Sequence, residues 1–320
     1  LDCGGAAYIR LRNEQHQPLE VNFGLEMATT FGGTTYLDGV KTTHPSGIKK
    51  FIKAFVPLNE KGDTSVYTAE GNMLGAMLLS VSYKFTNWKL RAYYDHYFED
   101  GSQMFFLDYD GYGKGSEWNK KEKNRYLVYD PKDAMYGIEV TLPQNRYVST
   151  FVGEYIYTKY QSGPIYHDHT ENVSDHIGGR DGYYNHGTYV GWQHWGQVIG
   201  NPLYLSPIYN GDGSLSIKDN RFVAWHFGIS GDPMSGLHYR LLMTWQKGWG
   251  TYEVPYTDVQ RSYNMLAEVG YNMPEKIGTV NTRGWTVKVG LGVDHGELRG
   301  NNTGLQITIL KSGILNFKRK

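Results

Sequence analysis

The feature of this sequence that most constrains its fold is an alternation of apolar and polar residues with a period of two. Within residues 88–99, one set of positions is apolar and the other is mainly charged. The apolar set is Trp88, Leu90, Ala92, Tyr94 and Phe98, and the polar set is Lys89, Arg91, Tyr93, Asp95 and Glu99. Because successive side chains of a β-strand point to opposite faces, the segment predicts a strand with one apolar face and one charged face.

The same alternation predicts eleven strands along the chain. They lie near residues 5–12, 20–30, 72–85, 88–99, 134–143, 146–159, 220–230, 237–246, 263–272, 284–294 and 303–311. A soluble β-sandwich can show the same pattern, because its apolar face packs a core while its polar face meets water. The pattern within one strand therefore does not separate a sandwich from a membrane barrel.

The lengths of the connections do separate these two folds. Short connections lie near 13–18, 86–87, 144–145, 231–236 and 273–283, and long ones near 31–71, 100–133, 160–219 and 247–262, followed by a shorter one at 295–302. The long connections have room for further hairpins, for instance 188–197 with 203–208. Membrane barrels have this asymmetry because their periplasmic turns stay tight while their outward loops carry function.

The sequence thus predicts an all-β fold, a transmembrane antiparallel β-barrel that occupies residues 1–320 as one domain. A mean hydropathy of −0.52 is compatible with it, because only every second strand residue faces lipid. An aromatic content of 15% suits the aromatic girdles of such barrels. Tracing the strands down and up places the C-terminus in the periplasm, so a closed barrel of even strand count needs an upward strand before Leu1.

Charge excludes some functions and favours others. Lysine plus arginine equals aspartate plus glutamate at 32 each, so no overall field attracts nucleic acid. Cys3 is the single cysteine of the chain. The predicted inward side chains carry both signs, which indicates an obstructed, cross-linked interior. They are Arg10, Arg12, Glu20, Asn22, Glu26, Lys84, Lys89, Arg91, Asp95, Glu99, Glu139, Glu154, His238, Arg240, Glu268, Lys288 and Asp294. A wide porin or channel for small polar solutes is the alternative.

Several segments together resemble the Wzi-like capsule-assembly proteins, in the form common among Bacteroidetes. They are 97–102 (YFEDGS), 135–139 (MYGIE), 153–164 (GEYIYTKYQSGP), 183–187 (YYNHG) and 200–203 (GNPL). The resemblance covers most of the chain, but the family's barrel begins further upstream than Leu1. It implies a lectin-like protein of the bacterial outer membrane, with loops at the cell surface, that retains or helps assemble surface polysaccharide. Partners would be that polysaccharide, outer-membrane lipid and other outer-membrane assembly proteins.

The densest chemistry lies in residues 166–195, inside the longest predicted outward connection. Aromatic rings there can stack on the apolar face of a sugar, while acids, amides and histidines can bond its hydroxyls. The predicted polysaccharide-binding residues are Asp168, Asp181, Tyr183, Tyr184, Asn185, His186, Trp192 and Trp195. The competing interpretation, of similar weight, is that these groups fold the loop back into the barrel and satisfy one another.

Two further interpretations of the polar residues are weaker. His167, Asp168, His169, Asp175 and His176 include zinc or calcium ligand types, but no second pair has metal-site spacing, so no metal or other cofactor is predicted. The acidic pairs Asp95/Glu99 and Asp108/Asp110 can in principle act as acid and base on a glycosidic bond. No nucleophile elbow or serine motif occurs, and lumen charge is the simpler account, so we do not predict an enzyme.

Overall fold

The computed structural model of the chain describes residues 2–12, 18–37, 39–55, 73–99, 105–108, 113, 115–118, 120, 125–128, 131–165, 170–172, 179–186 and 190–313. Its strands and helix are, in chain order, β1 (Asp2–Arg12), β2 (Leu19–Thr30), β3 (Gly33–Leu37), β4 (Val40–His44), α1 (Ile48–Phe55), β5 (Met73–Lys84), β6 (Lys89–Glu99), β7 (Phe105–Asp108), β8 (Arg125–Val128), β9 (Ala134–Thr141), β10 (Thr150–Tyr157), β11 (Gln193–His194), β12 (Gln197–Val198), β13 (Phe222–Met234), β14 (Leu237–Gly250), β15 (Pro255–Asn272), β16 (Lys276–Ile277), β17 (Val280–Asn281), β18 (Trp285–Gly296) and β19 (Asn302–Lys311). No helix among these residues is long and apolar enough to cross a membrane.

One antiparallel sheet of eleven strands dominates the fold. Its order is β1-β2-β5-β6-β9-β10-β13-β14-β15-β18-β19, so strands that follow one another along the chain are neighbours in the sheet. The eleven predicted strands are these eleven, which confirms the all-β antiparallel prediction. Among the pairings of the described residues, none joins β1 to β19.

Two predictions about the connections were wrong. Residues 247–262 are mostly strand rather than loop, because β14 continues to Gly250 through a bulge and β15 begins at Pro255. The proposed pairing of 188–197 with 203–208 is replaced by a tight β11-β12 hairpin followed by a 3-10 turn at Pro207–Tyr209. Helix α1 and the β3-β4 hairpin occupy part of the connection predicted at 31–71.

The connections define the two ends of the sheet. Counted from the strand bounds, the connections at one end, the short-turn end, span 13–18, 85–88, 142–149, 235–236 and 273–284. Those at the other end, the long-loop end, span 31–72, 100–133, 158–221, 251–254 and 297–301. Chain length is thus concentrated at one end, as the sequence predicted, although the last two connections at that end are short.

One face of the sheet is apolar and lies open. Exposed side chains on this face include Phe23, Ile138, Phe227, Met243, Val289 and Ile307. Alternation within the strands predicts that Trp88, Tyr94, Trp225, Phe227, Trp245 and Trp285 face outward. Trp225, Phe227, Trp245 and Trp285 are exposed on this face, whereas Trp88 and Tyr94 are half-buried. Phe98, assigned to the same face, is fully buried and packs on Gly75, where any side chain would collide with its ring.

An aromatic row crosses this apolar face through six consecutive strands. The strand registers pair its members directly, in the order Tyr94, Tyr136, Tyr155, Trp225, Trp245 and Tyr263. Neighbouring rings touch in several places, with centroids 5.2 Å apart for Tyr94 and Tyr136 and 4.7 Å apart for Tyr155 and Trp225. A register this consistent cannot be read from any single strand, because it depends on the pairing of all six.

The opposite face is polar and cross-linked from strand to strand. Arg91 pairs with Glu139 at 3.7 Å, and Arg240 pairs with Glu268 at 3.3 Å. The Asn264 amide donates to the Asp294 carboxylate over 2.6 Å. These residues are the predicted inward positions or their neighbours in register, so the two-faced pattern of the sequence is preserved across the sheet.

The segment 179–220 packs on the polar face near the long-loop end. Its buried side chains form one cluster with side chains of β2, β5, β6, β9, β10 and β13, and the Gln246 amide of β14 donates to the Leu203 carbonyl over 3.0 Å. A single cluster that joins one segment to seven neighbouring strands is the packing expected of a sheet that curves around that segment. The polar face is therefore the concave face.

Candidate functional site

The centre of the long-loop end is a cluster of buried side chains that we call the loop core. It consists of Tyr183, Tyr184, Trp192, Leu203, Tyr204 and Ile217. The rings of Tyr184 and Tyr204 stack with centroids 3.9 Å apart, and Tyr204 meets the ring of Phe222 edge-on at 5.0 Å. Phe222 opens β13, so the loop core is continuous with the concave wall of the sheet.

A buried carboxylate ties the loop core to the sheet. Asp133 is fully buried just before β9, and its oxygens accept from the backbone N–H groups of Tyr160 at 2.9 Å and Gln161 at 2.6 Å. The Tyr183 hydroxyl donates to the same carboxylate over 2.9 Å. Buried charge is tolerated only when it is well bonded, so Asp133 has a structural role that the sequence did not reveal.

Four of the predicted binding residues are engaged within the protein. The Tyr184 N–H donates to the Glu99 carboxylate over 2.7 Å, and the Tyr184 hydroxyl accepts from the Asn201 N–H over 3.1 Å. Tyr183 donates to Asp133, as described above. The Asn185 amide exchanges two bonds of 2.8 Å with the backbone of Ile217. The fourth, Asp181, accepts from the Ser162 hydroxyl over 2.7 Å.

The remaining predicted residues differ in exposure. Trp192 is buried, and His186 is half-buried, with burial lowering the pKa of its imidazole. Asp168 lies outside the described residues, as do His167 and His169. Trp195 is 87% exposed, the most exposed of the large apolar side chains in the described part of the chain. The structure thus divides the predicted set into an inner group that holds the loop and one residue that faces solvent.

Backbone strain is concentrated in this same loop. Within the described residues, the non-glycine residues with positive φ are Gln161, Ser162, Arg180, Tyr184 and Trp195, all between residues 161 and 195. Each such residue costs on the order of 1–3 kcal/mol unless its surroundings impose the conformation. Tyr184 is held by the bonds described above, whereas the Trp195 side chain is open to solvent.

Trp195 stands in the turn of the β11-β12 hairpin. Trp195 and Gly196 are its two central residues, with φ of 53° and 75°. Positive φ at both positions is typical of a type I′ turn, which favours Asn or Gly at the first position. A tryptophan there raises the free energy of the turn and buries almost no apolar surface in return, so local folding does not explain it.

A second exposed aromatic lies beside this turn. The Ile208 N–H donates to the Gly196 carbonyl over 2.8 Å, which fixes the 3-10 turn Pro207–Tyr209 against the hairpin. Tyr209 is 73% exposed, and Ile208 and His194 are exposed as well. We call His194, Trp195, Ile208 and Tyr209 the rim platform. Sequence reasoning missed Tyr209, although an aromatic directly before the turn signal Asn210-Gly211 could have drawn attention to it.

A cavity of about 520 Å³ lies between the loop core and the first strands. Tyr97, Tyr184 and Tyr204 line one side of it, and Gly5, Glu26 and Gly75 line the strand side. Its volume falls in the range of small-ligand sites, and its lining is mainly apolar with few polar groups.

The described residues contain no group of three or more His, Cys, Asp or Glu side chains arranged to hold a metal ion. Glu99, half of one acidic pair considered for catalysis, is buried and accepts from Tyr184. The side chains of Asp108 and Asp110 lie outside the described residues.

No family model matches the chain, and no curated protein matches it as a relative.

Asp219 gives the loop a pH dependence that can be tested. It is fully buried, with its carboxylate accepting from the Gly250 N–H over 3.0 Å, and burial raises the pKa of this carboxyl to about 7, above the ordinary 3.8. In the unfolded loop the Asp219 carboxyl ionises from about pH 4, whereas in the packed loop it stays protonated until about pH 7. The contribution of Asp219 to loop stability should therefore be greatest below pH 4, fall between pH 4 and 7, and level off above.

The measurement is the rate of proteolytic cleavage within residues 199–220 across that pH range. Asp219→Asn keeps an acceptor for Gly250 but does not titrate, so its cleavage rate should change less with pH. If the cleavage rate changes equally with pH in the wild type and in Asp219→Asn, Asp219 does not cause the pH dependence of the loop.

Proposed function

We propose that the chain forms the wall of a bacterial outer-membrane β-barrel that retains or helps assemble surface polysaccharide. The membrane location is supported by the open apolar face with its aromatic row. Apolar surface of this extent is unusual on a soluble monomer, whereas a barrel presents it to lipid and places aromatic girdles at the interfaces. The short-turn end would then face the periplasm, and the long-loop end would face outside.

The observation that carries the polysaccharide role is the exposed, strained Trp195. A conformation that raises the free energy of a turn suggests a use for the side chain it presents. Trp195 and Tyr209 offer two open aromatic faces at the long-loop end, the arrangement that stacks on the C–H faces of sugars. This role agrees with the resemblance to the Wzi-like capsule-assembly proteins, because the segments that carry it include Tyr184 of the loop core and its hydrogen-bond partners Glu99 and Asn201.

The porin alternative is less well supported. The segment 179–220 packs on the concave face in one cluster with side chains of that face, where an open channel would need free volume. The polar face below it is cross-linked by ion pairs of both signs rather than lined by one sign of charge. Both features favour retention of a ligand at the rim over diffusion through the interior.

Replacing Trp195 with Asn should have opposite effects on stability and on binding. Asn suits a type I′ turn, so the hairpin should keep or gain stability, while the loss of one stacking face should weaken glycan retention by about fivefold, on the order of 1 kcal/mol. The assay is a glycan array probed with the detergent-purified protein and its variants, together with thermal unfolding.

Tyr147→Ala is the matched control for Tyr209→Ala, because both tyrosines are 73% exposed but Tyr147 lies at the short-turn end. It should leave glycan retention unchanged, and Tyr209→Ala should reduce it. If Trp195→Asn retains every glycan that the wild type retains, the rim platform is not the binding surface.

A further inference from the structure

A row of basic side chains lies on the apolar face, just beyond the aromatic row. Two positions beyond the aromatic row, toward the long-loop end, the strand registers form a second row of paired residues. Its members are Tyr157, Val223, Lys247 and Arg261, of which the last two are basic. Lys159 and Arg221 follow two positions beyond Tyr157 and Val223, and Lys132 precedes Ala134 by the same step. We call Lys132, Lys159, Arg221, Lys247 and Arg261 the basic band.

Aromatic rings hold these cations in place. The Lys159 ammonium lies 3.6 Å from the ring centre of Trp249, and the Arg221 guanidinium lies 3.8 Å from that of Tyr252. The Lys247 ammonium lies 4.6 Å from the ring of Trp245, itself a member of the aromatic row. Cation–π contacts of this kind fix the position of a charge without neutralising it.

Two of the charges lie close together without a carboxylate between them. Arg221 Nε donates to the Lys159 carbonyl over 3.3 Å, so the two residues are direct neighbours. In the described part of the chain, no carboxylate forms an ion pair with Lys159, Arg221 or Lys247, and the nearby Glu253 pairs with Arg180. Burial and then the charge of Arg221 lower the pKa of Lys159. An anion between these side chains would relieve that repulsion.

The position of the band selects the class of anion. At a rise of ~3.3 Å per residue, the band begins about 7 Å beyond the aromatic row along the strands. If the aromatic row marks the membrane interface, the band lies on its outer side, at the level of the lipid headgroups. Register places Lys247 and Arg261 on the apolar face, opposite the concave face. Arginine and lysine at this depth attract lipid phosphates, and arginine can bond them through two N–H groups.

We infer that the basic band binds phosphate groups of an anionic lipid in the leaflet at the long-loop end. This inference rests on the proposed membrane location. Bound lipid would fix the depth of the wall and order the bases of the loops that carry the rim platform, because Lys159 and Arg221 flank the segment 160–220.

The test measures lipid retained by the detergent-purified protein in native mass spectrometry. The probes are diphosphoryl lipid A and phosphatidylcholine, each offered alone, and inorganic phosphate as a competitor. The wild type should retain lipid A over phosphatidylcholine, and Lys159→Gln with Arg221→Gln should weaken lipid A retention by about thirtyfold, at ~1 kcal/mol for each charge removed. Lys247→Gln alone, a milder change that preserves folding if the double variant fails, should weaken it about fivefold.

Lys311→Gln is the matched control, because the Lys311 ammonium also lies over a tryptophan, 5.5 Å from the ring of Trp285, but at the short-turn end. It should leave lipid A retention unchanged. Equal retention by wild type and band variants overturns the inference, and so does displacement of lipid A by equimolar inorganic phosphate, which indicates a free-ion site. A wild type that enters no bilayer refutes the membrane location itself, an outcome distinct from the other two.

Discussion

Replacing Asp133 with Ala is expected to release the loop core from the sheet. The change leaves the N–H groups of Tyr160 and Gln161 and the hydroxyl of Tyr183 without their acceptor in a fully buried site. Each orphaned buried donor costs ~1–3 kcal/mol, so the loop should lose on the order of 3–5 kcal/mol of stability. This exceeds the effect expected of any change on the rim platform.

The measurement is the protease resistance of residues 158–221 as a function of denaturant. Tyr183→Phe removes only one of the three bonds and should lose about 1 kcal/mol, which makes the effect graded. Asp212→Ala is the negative control, because its carboxylate is exposed and pairs only with Lys218 at 2.8 Å and with Ser214 beside it. A loop as resistant in Asp133→Ala as in the wild type would show that the carboxylate does not hold it.

Replacing Met243 with Arg is expected to destabilise the wall in a bilayer. Met243 lies in the middle of β14, is 55% exposed on the apolar face, and is paired with Phe227 and Met265. Arginine on the lipid face near the midplane of a barrel costs about 2–4 kcal/mol. On a face exposed to water the same change would cost almost nothing, so the result discriminates sharply between the two environments.

Equilibrium unfolding in lipid vesicles provides the measurement. Val254→Arg is the matched control, because Val254 is 71% exposed but lies in the turn between β14 and β15. If the two variants have the same free energy of unfolding in vesicles, the apolar face does not meet lipid and the membrane location is wrong.

Both faces of the sheet could be predicted from the sequence because the side-chain period of a strand is fixed at two. Once Trp225 and Phe227 are assigned to one face, His226 must lie on the other. The extent of β14 and β15 could not be predicted in this way. Their extension past residue 246 depends on a bulge between Gly248 and Gly250 and on pairing with each other, and these are tertiary properties.

The candidate site was predictable as a region but not residue by residue. Composition identified the loop correctly as aromatic and polar, yet Trp192 and Trp195, three residues apart, have opposite environments. One is buried in the loop core and the other is exposed at a turn. The difference arises because Trp195 lies in the turn of the β11-β12 hairpin, whereas Trp192 precedes the hairpin and is buried in one cluster with Leu203 and Tyr204.

The sequence by itself determined the strands, their two faces and the end at which chain length accumulates, because these follow from local periodicity and spacing. Only the tertiary structure decided which charged and aromatic residues act together. Asp133 reaches Tyr183 across 50 residues of chain, and Lys159 meets Trp249 across 90. Such contacts depend on strand register and on the curvature of the sheet around segment 179–220, and both are set by pairings that no short stretch of sequence contains.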